Sequence, residues 1–270
     1  MSNQAFRVQG NANLSGSIQP QGAKNEALQI ISAVLLTDKK VTIKNIPNIL
    51  DINKQMELLT GLGVKIEKLS ENDYTFQADD IDTEHLSSKD YQENAKKIRG
   101  SVMLLGPMLA RFKKAFLPKP GGDKIGRRRL DTHFLGFEKL GASFNYNEDG
   151  DQYYIGAEKL KGSFILMDEI SVTGTANVLM AAVMAEGITQ IYNAACEPYL
   201  QQLCKMLNNM GARISGVGSN LLTIHGVESL GGTEHTILPD MIEIGSFIGL
   251  AAMTKSNLTI TNVSVPNLGV

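Results

Sequence analysis

LTGLGVKI (Leu59–Ile66), FEKLGASF (Phe137–Phe144) and LNNMGARI (Leu207–Ile214) are three copies of one junction. Each closes a run with apolar residues at helical spacing, places a glycine, and continues as a strand-like tail. The glycines are Gly63, Gly141 and Gly211. A glycine just past the last helical turn adopts the left-handed cap conformation that a Cβ resists. A junction used three times argues for a fold assembled from one repeated unit.

Upstream of these junctions the chain repeats again. VTIKNIP, TQIYNAA and LTITNVS are alternating, strand-like segments that carry Asn45, Asn193 and Asn262. Each follows an apolar, helix-like run: Ala27–Leu36, Ala176–Ala185 and Phe247–Met253. From Asn45 to Gly63 is 18 residues, and from Asn193 to Gly211 is again 18. The same interval counted back from Gly141 lands on Asp123. That makes PGGDKIGRRRLDTH (Pro120–His133) the strand-to-helix junction of the middle unit, a place where α/β folds commonly carry ligands. Gly156 and Gly226 follow Gly141 and Gly211 at 15 residues each, as the turns after a closing hairpin.

The unit therefore reads β-α-β-α-β-β. Its helices are apolar on all sides, the mark of buried ones. The expected fold is α/β, three such units closing on themselves with helices buried and sheets outside. Counted forward, Asn262 requires a helix ending near position 280, past Val270, so a further unit is expected to begin and be cut off.

The 270 residues suffice for one large or two modest domains. No stretch approaches the ~20 apolar residues of a membrane span, and the amino terminus has no signal-peptide pattern. A cytoplasmic location is expected. Cys196 and Cys204, both on one helix-like segment, read as free thiols of a reducing compartment. His85, His133, His225 and His235 show no metal-ligand spacing, so no metal is expected. Neither GxSxG nor a GxGxxG in a βαβ setting is present.

The net charge is −2, but its distribution is uneven: from Arg99 to Leu130 nine basic residues face one acid, Asp123. Prolines and a Gly-Gly pair shape this run into a loop. Interleaved stacking aromatics are missing and the chain has no tryptophan, which argues against nucleic acid. A compact anionic small molecule fits better.

Four places can receive it. In QPQGAKNEAL, Lys24 and Asn25 fall in the first turn of a helix, where backbone N–H groups and an ammonium meet an anion. Arg99 heads an apolar helix in KKIRGSVMLLGPML. The middle junction sets Arg127, Arg128, Arg129 and Asp131 around Asp123. In MDEISVTGTANVLMAA, Ser171, Thr173, Thr175 and Asn177 crowd the start of a buried helix. At least one is an N-cap; the others can hydrogen-bond a sugar or nucleotide. The residues alone thus describe a binder of a phosphorylated or carboxylated substrate, with Asp123 as a candidate acid or base.

These segments, with FRVQG, IRGSVMLLGPMLARF, NAACEP and LPDMIEIGSF, occur in order along nearly the whole chain. Together they resemble the enolpyruvyl transferases, those acting on UDP-N-acetylglucosamine in particular. The resemblance implies an inside-out α/β barrel of β-α-β-α-β-β repeats, in two domains of three units. Residues 24–239 would form one complete three-repeat domain, and 1–23 with 240–270 part of a second, truncated one.

The implied reaction moves the enolpyruvyl group of phosphoenolpyruvate to the 3′-hydroxyl of UDP-N-acetylglucosamine, in peptidoglycan synthesis, without cofactor or metal. Lys24 and Asp123 would be catalytic, and Lys24, Asn25 and Arg128 would bind phosphoenolpyruvate. Arg99, the run Arg128, Arg129, Leu130, Asp131 and Thr132, and the run Glu169, Ile170, Ser171, Val172 and Thr173 would hold the UDP-sugar. Asp123 stands where the family usually has a cysteine that the epoxide fosfomycin alkylates, so resistance to that drug is expected. Glu169 stands where a lysine is often found. The family's second-domain aspartate and clamping arginines would lie beyond Val270, so this chain is expected to be inactive alone. The alternatives are a 3-phosphoshikimate 1-carboxyvinyltransferase and a non-catalytic UDP-sugar-binding module.

Overall fold

A computed structural model describes residues 5–10, 14–118, 130–147 and 152–268. β1 (Ser15–Ile18) precedes α1 (Lys24–Ala33), which tightens into a 3₁₀ turn at Val34–Leu36. β2 (Val41–Lys44), α2 (Leu50–Gly61), β3 (Lys65–Lys68) and β4 (Tyr74–Gln77) follow. α3 (Lys89–Ala95) and a 3₁₀ run, Arg99–Leu104, lead to α4 (Leu105–Phe112). Next come β5 (Lys114–Pro118), α5 (Asp131–Lys139), β6 (Ser143–Asn147) and β7 (Gln152–Gly156). The third unit holds β8 (Phe164–Leu166), α6 (Val172–Ala182), β9 (Ile188–Tyr192), α7 (Pro198–Asn209), β10 (Arg213–Ser215) and β11 (Leu221–His225). β12 (Thr233–Thr236), α8 (Met241–Thr254) and β13 (Asn257–Ile260) come last.

One strand arrangement recurs. The strand before each outer helix pairs antiparallel with the last strand of the hairpin behind it: β2 with β4, β5 with β7, β9 with β11. The first hairpin strands, β3, β6 and β10, sit at sheet edges. A parallel strand flanks two of the units: β8 lies beside β9, and β12 beside β2 with Thr233 opposite Val41. The first unit's sheet is thus completed from the far end of the chain. β1 and β13 form a separate parallel pair.

Turn chemistry explains the repeat. Gly63, Gly141 and Gly211 have φ of 98°, 95° and 105°. Asn45, Asn193 and Asn262 end their strands at φ 61°, 61° and 53°, a left-handed conformation that asparagine tolerates better than most L-residues. Asn45 Nδ2 donates to Ile237 O (2.9 Å), and Asn193 Nδ2 to Met167 O (3.1 Å). Each of those carbonyls lies one residue past the parallel neighbour strand. The asparagine therefore turns its own strand and pins the adjacent one.

The core is helical. Ala27, Ile30, Ile31 and Ala33 of α1 and Val178 to Ala182 of α6 expose no surface. α4 packs along α6, and α1 against α6 and α7. On β9 one face alone is buried: Thr189 and Ile191 point inward while Ile188, Gln190 and Tyr192 face solvent. Among the described residues, no helix is long and apolar enough to cross a membrane.

Two local expectations are corrected. Arg99 heads a 3₁₀ run rather than an α-helix; Pro107 has no N–H for the i−4 bond that a continuous helix through this stretch would need. Cys196 is exposed and precedes α7, because Pro198 sets that helix's first turn; Cys204 is buried inside it. The run Phe247–Met253 lies in α8, where Ile244 is the one buried residue. Ile248 and Met253 are exposed, since no described element packs over that face.

Candidate active site

Lys24, Asn25, Leu28 and Gln29 present one face of α1 to a cleft of about 870 Å³. The remaining walls come from Asp51 on α2, Arg99 and Gly100, His133 on α5, Glu169 and Ser171 to Thr173, Glu197 to Tyr199, and Met241 and Ile242 on α8. Of the sequence-predicted residues, the cleft brings together Lys24, Asn25, Arg99, Glu169, Ser171, Val172 and Thr173. Leu130, Asp131, Thr132 and Ile170 do not line it. Thr132 is buried, its hydroxyl 2.8 Å from Asp168 Oδ1 and 3.3 Å from Glu169 Oε1, which ties the start of α5 to the segment before α6. Leu130 packs on the core, while Asp131 and Ile170 are exposed. Asp123, Arg127, Arg128 and Arg129 lie outside the described residues.

α1 has no side-chain cap from its own N-cap residue. Asp240 supplies one from a distance: its Oδ2 accepts the Lys24 backbone N–H (3.2 Å), while its Oδ1 caps α8 through Ile242 N–H (2.8 Å). The Lys24 ammonium is ion-paired with Asp51 in the first turn of α2. A cation at the positive end of a helix is unfavourable, and here carboxylates from two other elements offset it. An incoming anion would take Lys24 over from Asp51.

Asn177 sets the tautomer of His133. Asn177 Oδ1 accepts the Gly106 N–H (2.7 Å), so Nδ2 is the donor end, and it donates to Val102 O (2.7 Å) and His133 Nδ1 (3.0 Å). With Nδ1 accepting, the ring proton sits on Nε2, 3.5 Å from Thr173 Oγ1. Burial, then the charge of Arg99, pushes the imidazole down to about 4. At neutral pH His133 is an uncharged N–H donor at the cleft wall.

The polar cluster before α6 divides by depth. Ser171 is the N-cap, accepting the Gly174 N–H (3.1 Å). Thr175 and Asn177, expected as possible ligand contacts, are fully buried, and Thr175 Oγ1 accepts the Ala195 N–H (3.0 Å). Their hydrogen bonds go to the protein. Thr173 stays on the cleft wall.

Sequence reasoning missed Gln29, Asp51, His133, Glu197 and Tyr199 as cleft residues. His133 had a signal, its place at the end of the arginine-rich junction, whereas metal spacing was the wrong test for it. Tyr199 carries no local signal: its hydroxyl accepts the Met241 N–H (3.0 Å), and burial lifts its pKa to about 12.

Residues 8–269 match the EPSP synthase (3-phosphoshikimate 1-carboxyvinyltransferase) family. UDP-N-acetylglucosamine 1-carboxyvinyltransferase of Bacteroides fragilis is 62% identical over 266 residues, covering 98% of this chain and 61% of that protein. The protein of the same name from Bacteroides thetaiotaomicron is 61% identical, with the same coverage of both chains. The chain thus spans about 61% of the length of the curated relatives it matches. The crystal structure of the enolpyruvyl transferase NikO from Streptomyces tendae is similar with a TM-score of 0.77 and 21% identity, over 89% of this chain and 56% of that one. At that identity the likeness speaks for the α/β fold.

Proposed function

The chain belongs to the EPSP synthase family of enolpyruvyl transferases, and from that we propose that it transfers the enolpyruvyl group of phosphoenolpyruvate to the 3′-hydroxyl of UDP-N-acetylglucosamine, releasing phosphate. The observation that carries the reading is the convergence of Lys24, Arg99 and Thr173, from three separate elements, on one cleft. The name and identity of the Bacteroides relatives favour the sugar nucleotide as acceptor.

Phosphoenolpyruvate is an anion that presents only acceptor oxygens. Lys24 and Asn25 suit it, with Arg128 as a further cation. Arg99, Arg128 to Thr132 and Glu169 to Thr173 are assigned to the UDP-sugar. Asp123 delivers a proton to the methylene carbon, C2 becomes oxocarbenium-like, and the sugar hydroxyl adds there. Loss of a proton from the new methyl group and departure of phosphate then regenerate the enol ether. An aspartate normally titrates near ~3.9. The negative charge of the substrate and desolvation favour the protonated acid that this step needs, and the lysine and arginines next to it in the sequence oppose it.

On the same reading residues 24–239 are a complete three-repeat domain closed as an inside-out α/β barrel, with α1, α4 and α6 at its centre. Residues 1–23 and 240–270 belong to a second domain, a division supported by the separate β1–β13 pair. The step belongs to peptidoglycan synthesis in the cytoplasm.

The test is phosphate release by the chain carried to the full length of its relatives. Release should require both phosphoenolpyruvate and UDP-N-acetylglucosamine; turnover with shikimate 3-phosphate instead would overturn the assignment. Asp123→Asn should lower the rate by ~10²–10⁴-fold. Asp123→Cys should retain activity and become sensitive to fosfomycin, because a thiolate attacks an epoxide far better than a carboxylate does.

A further inference from the structure

The start of α1 is met by carboxylates from two other helices. Lys24 N–H donates to Asp240 Oδ2 (3.2 Å) and Gln21 N–H to Glu243 Oε2 (2.7 Å), both acids belonging to the start of α8. The Lys24 ammonium is paired with Asp51 of α2. Asp240 has other work, for its Oδ1 accepts the Ile242 N–H (2.8 Å). Asp51 differs. Among the described residues its carboxylate has no partner besides Lys24, and both side chains line the cleft, partly exposed.

The two members of this pair depend on each other unequally. Asp51 lies in the first turn of α2, which has no side-chain cap, and a negative charge is favoured there with or without Lys24. The Lys24 ammonium stands at the positive end of α1 and is misplaced unless an anion accompanies it. A partly exposed ion pair is weak, because water screens it, and it gives way to a better partner. A buried pair would resist exchange. Resting on the site reading above, we propose that Asp51 is a positioning residue for Lys24. Its carboxylate holds the ammonium in the cleft before phosphoenolpyruvate arrives, yields it to the entering anion, and recaptures it as inorganic phosphate departs. Asp51 thus competes with every anion for Lys24 and weakens retention of the product.

The experiment is calorimetric titration with inorganic phosphate, in the presence of UDP-N-acetylglucosamine, of the chain carried to the full length of its relatives. Wild type, Asp51→Asn, Lys24→Met and the double variant are compared, with thermal melts as a check on folding. Asp51→Ser serves as a second variant, so that the result does not depend on one substitution folding. Asp51→Asn keeps the shape and removes the charge. It should bind phosphate about fivefold more tightly, as expected when a partly exposed competing ion pair is removed. In the Lys24→Met background the same substitution should bring a much smaller gain. A role in folding alone would not tighten binding. Unchanged or weaker phosphate binding in Asp51 variants that melt normally overturns the proposal. So does an equal gain with and without Lys24, which would make Asp51 a direct repellent of the anion. Failure of the wild-type protein to bind UDP-N-acetylglucosamine would instead bring down the site reading, and this inference with it.

Discussion

His133 is uncharged because burial and Arg99 hold it at about 4, below its ordinary 6.5. The consequence for stability has a definite sign. Between pH 6.5 and about 4 the unfolded chain binds a proton that the folded chain refuses, so stability falls as pH falls through that window. The full effect is about 3 kcal/mol. Glu26 acts in the opposite sense: burial raises its carboxyl pKa in the folded chain, so its contribution is present below 4.5 and is lost as pH rises through the raised value. His133→Gln should therefore flatten the acid-side loss of stability, read as urea midpoints at a series of pH values from 7 to 4. An unchanged slope would mean that the native imidazole titrates near its ordinary value.

The strand-to-helix turn is the element on which the repeat depends. Asn193 contributes a backbone at φ 61° and a side-chain bond to Met167 O. An alanine there meets the left-handed penalty of about 1–2 kcal/mol and forfeits a hydrogen bond of about 1 kcal/mol. A glycine forfeits the bond but adopts the conformation freely. Asn193→Ala should thus lower stability by about 2–3 kcal/mol and Asn193→Gly by roughly 1, measured by urea denaturation. Equal losses in the two variants would assign the whole effect to the side-chain bond and none to the backbone.

Across the whole molecule, the stretch that follows the third unit returns to the first. β12 pairs with β2, His235 Nε2 lies 2.8 Å from Glu26 Oε1, and Leu238 N–H donates to Glu26 Oε2 (3.2 Å). Ala23 N–H bonds to Leu238 O (2.8 Å), and Asp240 caps both α1 and α8. A chain ended at Gly232 would bare the edge of β2 and strand the Glu26 carboxylate in the core. Breaking a buried pair by removing one partner costs about 3–5 kcal/mol. Such a chain should lose its cooperative melt in calorimetry, and adding Glu26→Gln should recover part of it. A sharp transition at the original temperature would make β12 an accessory strand.

The repeated unit was legible from residues alone because its signals are local. A left-handed turn is a property of one residue, so Asn45, Asn193, Gly63, Gly141 and Gly211 announce it wherever they stand. The apolar cores of α1 and α6 likewise declare burial. Partner choice has no such local mark. Nothing near Lys24 announces Asp51, nothing near His133 announces Asn177, and Thr175 reads as freely polar until Ala195 is brought against it. α8 shows the same limit, for an apolar pattern asks to be covered without saying by what. Hydrogen bonds and desolvation are pairwise properties of groups far apart in the chain, and only folding decides which groups meet.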